Sequence, residues 1–426
     1  MKILHLSSSD ILGGAARAAW RLHQGFLKLG MNSTMLVQNK ASDDETVVCF
    51  NKKIQKGIAK IKPTLDCFPL EIFSQHKKSV GEIFSLQWVP DNISTKVSSI
   101  APDIINLHWV NSGFLQIETL AKFGLPIVLT LHDMWPFTGG CHYSQGCDRY
   151  TQSCGKCPQL KSTQECDLSR WVWKRKEKAW KDLNLTIVTP SKWLAECAQS
   201  SSLFGDLPVQ VIPSGLDTQK YRQVDKQIAR SLLGLPTDKK IILFGAINST
   251  TDRRKGYHLL IPALQKIKTL VDNQDIELVV FGASQPSNTS DLSFKTHCLG
   301  RLNDDISLAL AYSAADVMTV PSIQEAFGQT ASESLACGTP VVAFDATGLK
   351  DIVDHQQNGY LVNPFDTEDL AYGILWTVEN EERQKKLSEN ARLKAEAEFD
   401  LMNQAKTYLK LYIRILDNKP NLTLKI

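Results

Sequence analysis

The stretch Val317-Met318-Thr319-Val320-Pro321-Ser322-Ile323-Gln324-Glu325-Ala326-Phe327-Gly328-Gln329-Thr330-Ala331-Ser332-Glu333-Ser334-Leu335-Ala336-Cys337-Gly338-Thr339-Pro340-Val341-Val342-Ala343-Phe344 decides how the chain is read. Both ends are short apolar runs without polar alternation, the pattern of strands buried on two faces. Between them, a Phe-Gly turn opens a segment with helix-compatible residues that stops at Gly338. Strand, loop, helix and strand in that order form one repeat of a parallel sheet. Ligands in such sheets bind beyond the carboxyl ends of the strands, which is where Glu325 and Glu333 fall.

Two glutamates on a helix are ordinarily a solvated face. Their position after a buried strand argues for more. With a helix starting at Gly328, eight residues reach at most about 12 Å, the span from a sugar ring across a diphosphate to a ribose. One carboxylate then suits a sugar and the other a ribose. The N–H groups of Phe327, Gly328 and Gln329, with the positive helix end, face the diphosphate between them.

Outward from this stretch, similar apolar runs recur at 3–6, 34–37, 104–107, 127–131, 186–189, 241–244 and 277–281, separated by helical patterns. The series is complete by Val211-Ile212-Pro213-Ser214-Gly215 and restarts at Ile241. The expected class is α/β, with two doubly wound Rossmann-like domains facing a central cleft. The expected boundaries are 1–213, carrying a Cys-rich loop at 138–160, then 214–395, then 396–426 as a helix returning to the first domain plus a tail. A helical pattern from Glu381 to Asp417 places Leu409, Tyr412, Ile413 and Leu416 on its apolar stripe.

The 426 residues carry a net charge of +3, too small to imply nucleic acid, and no nucleic-acid motif is visible. The first strand begins at once, in place of a leader, and no run is long enough to cross a membrane. Ten cysteines are then expected as reduced thiols in the cytoplasm.

Other motifs sit at strand ends. Gly13 and Gly14 open a helix after the first strand, where backbone can approach a ligand closely. Arg253-Arg254-Lys255-Gly256 follows the strand at 241–244; Lys255 and Arg254 suit a diphosphate, with Arg253 as competitor. His132 closes the strand at 127–131 and suits a sugar or developing charge, and His108 is the second choice.

Cys141, Cys147, Cys154 and Cys157 are spaced Cys-x5-Cys-x6-Cys-x2-Cys. A structural zinc is the leading expectation, with disulfides, a redox pair or unligated thiols as alternatives. Two basic amphipathic segments, Lys52–Lys62 and Trp171–Lys181, suit either an anionic membrane surface or packing on the domain.

The Glu325/Glu333 pair, Arg254-Lys255-Gly256, Gly13-Gly14, His132, Pro190-Ser191-Lys192-Trp193 and Val211–Asp217 together resemble the retaining glycosyltransferases of family 4. The likeness runs in order along most of the chain, and the Cys-rich insert is similar to that of the exopolysaccharide and colanic-acid subgroup. The resemblance implies a GT-B fold and sugar transfer with retention from a nucleotide-diphosphate sugar to a glycan or lipid-linked oligosaccharide in surface polysaccharide synthesis. It implies a catalytic pair, His132 and Glu325, and donor contacts from Gly13, Gly14, Arg254, Lys255, Phe327, Gly328 and Glu333. No cofactor is required for this chemistry, and peripheral attachment to the inner face of the plasma membrane fits it. Many members carry an Arg after the strand that here ends Gly245-Ala246-Ile247, so Arg253 or Arg254 must supply that charge. A nucleotide-sugar epimerase of the same fold and a non-catalytic scaffold or sugar-binding subunit are the other readings.

Overall fold

All nine apolar runs become strands in the computed structural model, which describes residues 1–50, 53–73, 83–271, 275–282 and 294–417. The first unit, Met1–Gly215 with Leu401 onward, carries β1 (Lys2–Ser9), β2 (Asn32–Asn39), β3 (Val47–Cys49), β4 (Ile104–Leu107), β5 (Ile127–Thr130), β6 (Leu185–Thr189) and β7 (Val209–Val211). These pair in the order β3-β2-β1-β4-β5-β6-β7, every pairing parallel. β1, β4, β5 and β6 are buried on both faces, which is why they read as continuous apolar runs.

The second unit, Leu216–Asp400, carries β8 (Lys240–Gly245), β9 (Ile276–Phe281), β10 (Thr296–Cys298), β11 (Val317–Val320), β12 (Val341–Phe344) and β13 (Gly359–Val362). Their order is β10-β9-β8-β11-β12-β13, again all parallel. Asp316, entering β11, accepts Arg230 Nη2 at 2.7 Å, Lys226 Nζ at 2.7 Å and the Ile241 N–H at 2.6 Å, tying β11 to β8. The architecture is the α/β pair of Rossmann-like domains that defines GT-B.

The helical C-terminal pattern is two helices, α11 (Glu381–Glu398) and α12 (Leu401–Asp417). The break coincides with the passage from one unit to the other, where the Asp400 carboxylate accepts the Thr218 hydroxyl at 2.9 Å. α12 packs on α1 (Gly14–Lys28) of the first unit: Phe26 and Tyr412 stack at 5.4 Å, and a Cβ on Gly25 would lie 2.9 Å from that of Ala405. The buried stripe of α12 is Leu401, Gln404, Ala405, Tyr408, Leu411 and Tyr412. Ile413, placed on the stripe by its spacing, is exposed, because the two tyrosines set the inward face. Their hydroxyls meet a polar pair under the sheet, Asn106 donating to Tyr412 at 2.6 Å and Thr130 lying 3.0 Å from Tyr408.

The segment Trp171–Lys181 falls in α4 (Leu168–Trp180), and its apolar face turns inward. Trp173 and Trp180 are core residues, and the Trp180 Nε1–H donates to the Ile117 carbonyl at 2.9 Å. Trp173 and Trp180 therefore pack on the domain, while Trp171 is exposed.

Candidate active site

The cluster in the second unit is assembled from two strand ends. After β8 the chain makes a short 3-10 turn at Arg253–Lys255, then Gly256 at φ 76° opens α7 (Tyr257–Leu270). A Cβ on Gly256 would lie 1.7 Å from the Pro321 carbonyl oxygen, so only glycine lets this turn meet the loop after β11. The Ile323 N–H donates to the Arg254 carbonyl at 2.8 Å and closes the contact.

Lys255 Nζ stands 2.5 Å from Glu325 Oε1, and Arg254 Nη1 3.4 Å from the same oxygen. Arg254 also donates to the Gln324 carbonyl at 2.9 Å and reaches Asp252 at 3.2 Å. Burial raises the pKa of Glu325, but the two cations outweigh it and hold the carboxyl below the usual range. Arg253, the competing residue, is exposed. The carboxylate is fixed from behind, its own N–H donating to Thr347 Oγ1 at 3.1 Å and its carbonyl accepting the Gly348 N–H at 3.0 Å.

Gly328 caps α9 (Gln329–Ala336) at φ 110°, and a Cβ there would meet Leu349 at 2.6 Å. Gly328 has no side chain with which to cap this helix start, which adjoins Phe327. Glu333 lies on the second turn of α9 and is buried, with Oε2 accepting the Tyr312 hydroxyl at 2.9 Å. Tyr312 and Thr347 were not apparent from sequence, because their partners lie 21 and 22 positions away.

In the first unit, His132 follows β5 and His108 follows β4. Nε2 of His132 lies 3.0 Å from Nδ1 of His108, and Nε2 of His108 lies 3.0 Å from Nδ1 of His5 within β1. Burial lowers the His132 pKa to about 4, against the opposing pull of Asp133, so the ring is neutral at neutral pH. Asp133 has its own duties: it accepts the Trp109 indole N–H at 2.9 Å, His142 Nδ1 at 2.6 Å and the Trp135 N–H at 2.9 Å. Gly13 and Gly14 stand at the β1–α1 turn, where a Cβ on Gly13 would meet open space despite φ 101°. The structure thus gathers Lys255, Arg254 and Glu325 into one cluster, sets Phe327, Gly328 and Glu333 along the adjoining helix start, and holds His132 with His108 and His5.

The four clustered cysteines line one small cavity of about 20 Å³ with Phe84 and Tyr150. Among the described residues no group of three His, Cys, Asp or Glu side chains is placed to hold a metal ion, and none of the ten cysteines is in a disulfide. The loop keeps its shape by hydrogen bonds instead. Arg170 donates twice to the Cys154 carbonyl, at 3.0 and 2.7 Å, and the Cys157 N–H donates to Asp167 at 2.8 Å. The Gly139 N–H lies 3.1 Å from Cys154 Sγ, and burial pushes the thiols of Cys154 and Cys157 up to about 11.

Comparison with known proteins agrees with this architecture. Residues 12–220 match the family Glycosyltransferase Family 4, and residues 225–394 match Glycosyl transferases group 1. A D-inositol 3-phosphate glycosyltransferase of Saccharomonospora viridis is 33% identical over 313 residues, 68% of this chain and 65% of that protein. The chain spans about half the length of the other leading curated relatives it matches. Sucrose-phosphate synthase from Thermosynechococcus elongatus superposes with a TM-score of 0.69 at 20% identity, over 98% of this chain and 100% of that one. Anabaena HepE, solved with UDP and glucose, gives 0.64 at 19% identity, over 96% and 99%. At these identities the superpositions speak for the fold alone.

Proposed function

We propose that this chain, whose two units match Glycosyltransferase Family 4 and Glycosyl transferases group 1, transfers a sugar, with retention, from a nucleotide-diphosphate sugar to a glycan or lipid-linked oligosaccharide in surface polysaccharide synthesis. The observation that carries this reading is the Lys255–Arg254–Glu325 cluster, which shares its loop with the start of α9 at Gly328. A paired lysine and arginine next to a helix N-terminus suit a diphosphate without a metal. Glu325 then meets the donor sugar hydroxyls, and Glu333, oriented by Tyr312, meets the ribose.

In the step itself, the bond from the anomeric carbon to the phosphate oxygen breaks and one to the acceptor oxygen forms on the same face. The acceptor's proton passes to the departing phosphate, so no separate base is needed. Lys255, Arg254 and the helix start stabilise the charge that develops on the diphosphate. His132 supplies a hydrogen bond to the reacting sugar. HepE, with UDP and glucose in its solved structure, supports a uridine nucleotide as the first donor to try.

A membrane-side acceptor is supported by α2 (Lys53–Phe73). Ile61, Leu65, Phe68 and Ile72 recur at i, i+4, i+7 and i+11 and are exposed, at 56, 42, 52 and 56%. Four large apolar residues on one solvent-facing stripe, in a helix that also carries Lys53, Lys56 and Lys60, suit the headgroup region of an anionic bilayer. No helix among the described residues is long and apolar enough to cross a membrane.

The test is product analysis. Incubation with UDP-, GDP- or ADP-sugars and a lipid-linked oligosaccharide pool should give a product whose new linkage keeps the donor's anomeric configuration by NMR. An inverted linkage would reject retention. Conversion of the nucleotide-sugar without any acceptor would favour the epimerase, and no turnover with any donor would favour the scaffold.

A further inference from the structure

Three imidazoles form a continuous chain across adjacent strands of the first sheet: His5 in β1, His108 after β4 and His132 after β5. Both links are Nδ1 to Nε2, each 3.0 Å. The rings follow one another at centroid spacings of 5.3 Å. A neutral imidazole has one N–H and one lone pair, so each link needs one proton, and a chain linked this way can run in only two directions.

The buried end chooses between them. His5 is fully buried, and its Nε2 has no hydrogen-bond partner. His23, the neighbouring ring at 5.7 Å, is committed elsewhere, to Ser33 Oγ at 2.7 Å and Thr46 Oγ1 at 2.7 Å. The Thr46 hydroxyl donates to Asp44 at 2.5 Å, so His23 Nε2 must be the donor to Thr46. If the chain ran from His132 inward, His5 would carry an orphaned buried N–H. Run outward, it leaves only a lone pair against Phe26, and buried N–H groups without partners are the rarer of the two.

We propose that the His5–His108–His132 chain fixes His132 as the Nδ1–H tautomer, so that His132 meets its ligand as a hydrogen-bond donor, with His5 and His108 as positioning residues. The atom it addresses is an oxygen of the bound nucleotide-sugar. This role rests on the glycosyltransferase reading, whereas the chain's direction does not. Every imidazole in the chain stays neutral, because burial lowers each of the three pKa values. His132 then cannot serve as a base unless all three rings change tautomer together. That agrees with a mechanism in which the departing phosphate takes the acceptor's proton.

The test is nitrogen NMR of the full chain labelled at histidine, with His132 assigned through His132→Asn. The expected result is a protonated Nδ1 and an unprotonated Nε2 on His132 in the ligand-free protein. A proton on Nε2, or exchange between both forms, overturns the proposal without any variant. In His108→Gln, whose amide meets His132 as donor or acceptor alike, both His132 tautomers should appear and kcat should fall about tenfold, with the donor KM little changed. Unchanged His132 signals in that variant would also overturn it. Should His108→Gln fail to fold, His5→Phe tests the direction, since the unpartnered atom is then His108 Nε2 and the same preference for a lone pair over an N–H keeps Nδ1–H on His132; a switch to Nε2–H there would overturn the proposal. The spectrum needs no substrate, so the predicted tautomer in a protein without transferase activity would refute the proposed function and leave the chain standing.

Discussion

The two units answer the same architectural problem with different chemistry. The first unit places uncharged rings, His132 and His108 beyond strand ends and His5 within β1, joined by N–H···N bonds. The second places ions, Lys255 and Arg254 around Glu325. A neutral chain avoids the cost of burying charge and fixes a direction for one proton. An ion cluster holds charge: the two cations keep the Glu325 carboxyl below its usual range against the opposing effect of burial. We propose that this difference divides the work, with positioning of a sugar in one unit and grip on a diphosphate in the other.

The sharpest way to break the comparison is Lys255→Ala. Transfer should fall on the order of 10³-fold, the effect of removing one donor to developing charge. A loss under tenfold would move the phosphate grip elsewhere, to Arg253 first. His132→Asn comes next, with about 10²-fold lost from kcat, because it removes a neutral hydrogen bond and no charge. Equal losses from both variants would erase the division of labour.

Gly256→Ala should destabilise the second unit alone, by about 2–3 kcal/mol, through its positive φ and the clash with the Pro321 carbonyl. Urea unfolding followed by hydrogen exchange would read the two units separately. The first unit should keep its midpoint.

Acid should act on the first unit through the histidines. His132 and His23 are lowered to about 4 by burial, and His5 and His108 are also lowered by it, from an ordinary value of 6.5. Folded pKa values below unfolded ones mean that unfolding takes up protons. The stability they contribute is present above pH 6.5 and is lost as pH falls toward 4. Asp66 works in the opposite sense: burial raises it to about 6, so its contribution declines as pH rises through that value. Eight of the nine tryptophans lie in the first unit, all but Trp376, so indole fluorescence follows it. Stability unchanged between pH 7 and 5 would contradict neutral buried rings. The smallest effect belongs to Phe68→Glu, which should weaken binding to anionic vesicles about tenfold and leave donor binding intact.

How far sequence carried the reading depended on distance along the chain. Strands buried on both faces announced themselves, whereas β3, β7 and β10, three residues each at or beside sheet edges, are too short to show a pattern. Glu325 and Gly328 were legible because one loop holds both. Lys255 was legible from its basic cluster, but its pairing with Glu325, 70 positions away, needed the fold. The histidine chain joins positions 5, 108 and 132, which no local motif connects. The cysteine spacing is local and was legible, whereas the hydrogen bonds that Arg170, Ser169 and Asp167 give the loop needed the fold. Spacing alone did not show that Trp173 and Trp180 of α4 pack inward, and of the exposed stripe of α2 only Ile61 lies within the basic segment Lys52–Lys62, Leu65, Phe68 and Ile72 following it.

The most direct test of the central claim is thermal unfolding of the wild-type chain and Lys255→Ala against UDP, GDP and ADP and their sugars. Ligand at 100 times its Kd should stabilise the wild type by about 2.7 kcal/mol. The account predicts a selective shift with one nucleotide, lost in Lys255→Ala. No shift with any nucleotide, from a chain shown to be folded, or a shift that survives Lys255→Ala undiminished, would contradict it.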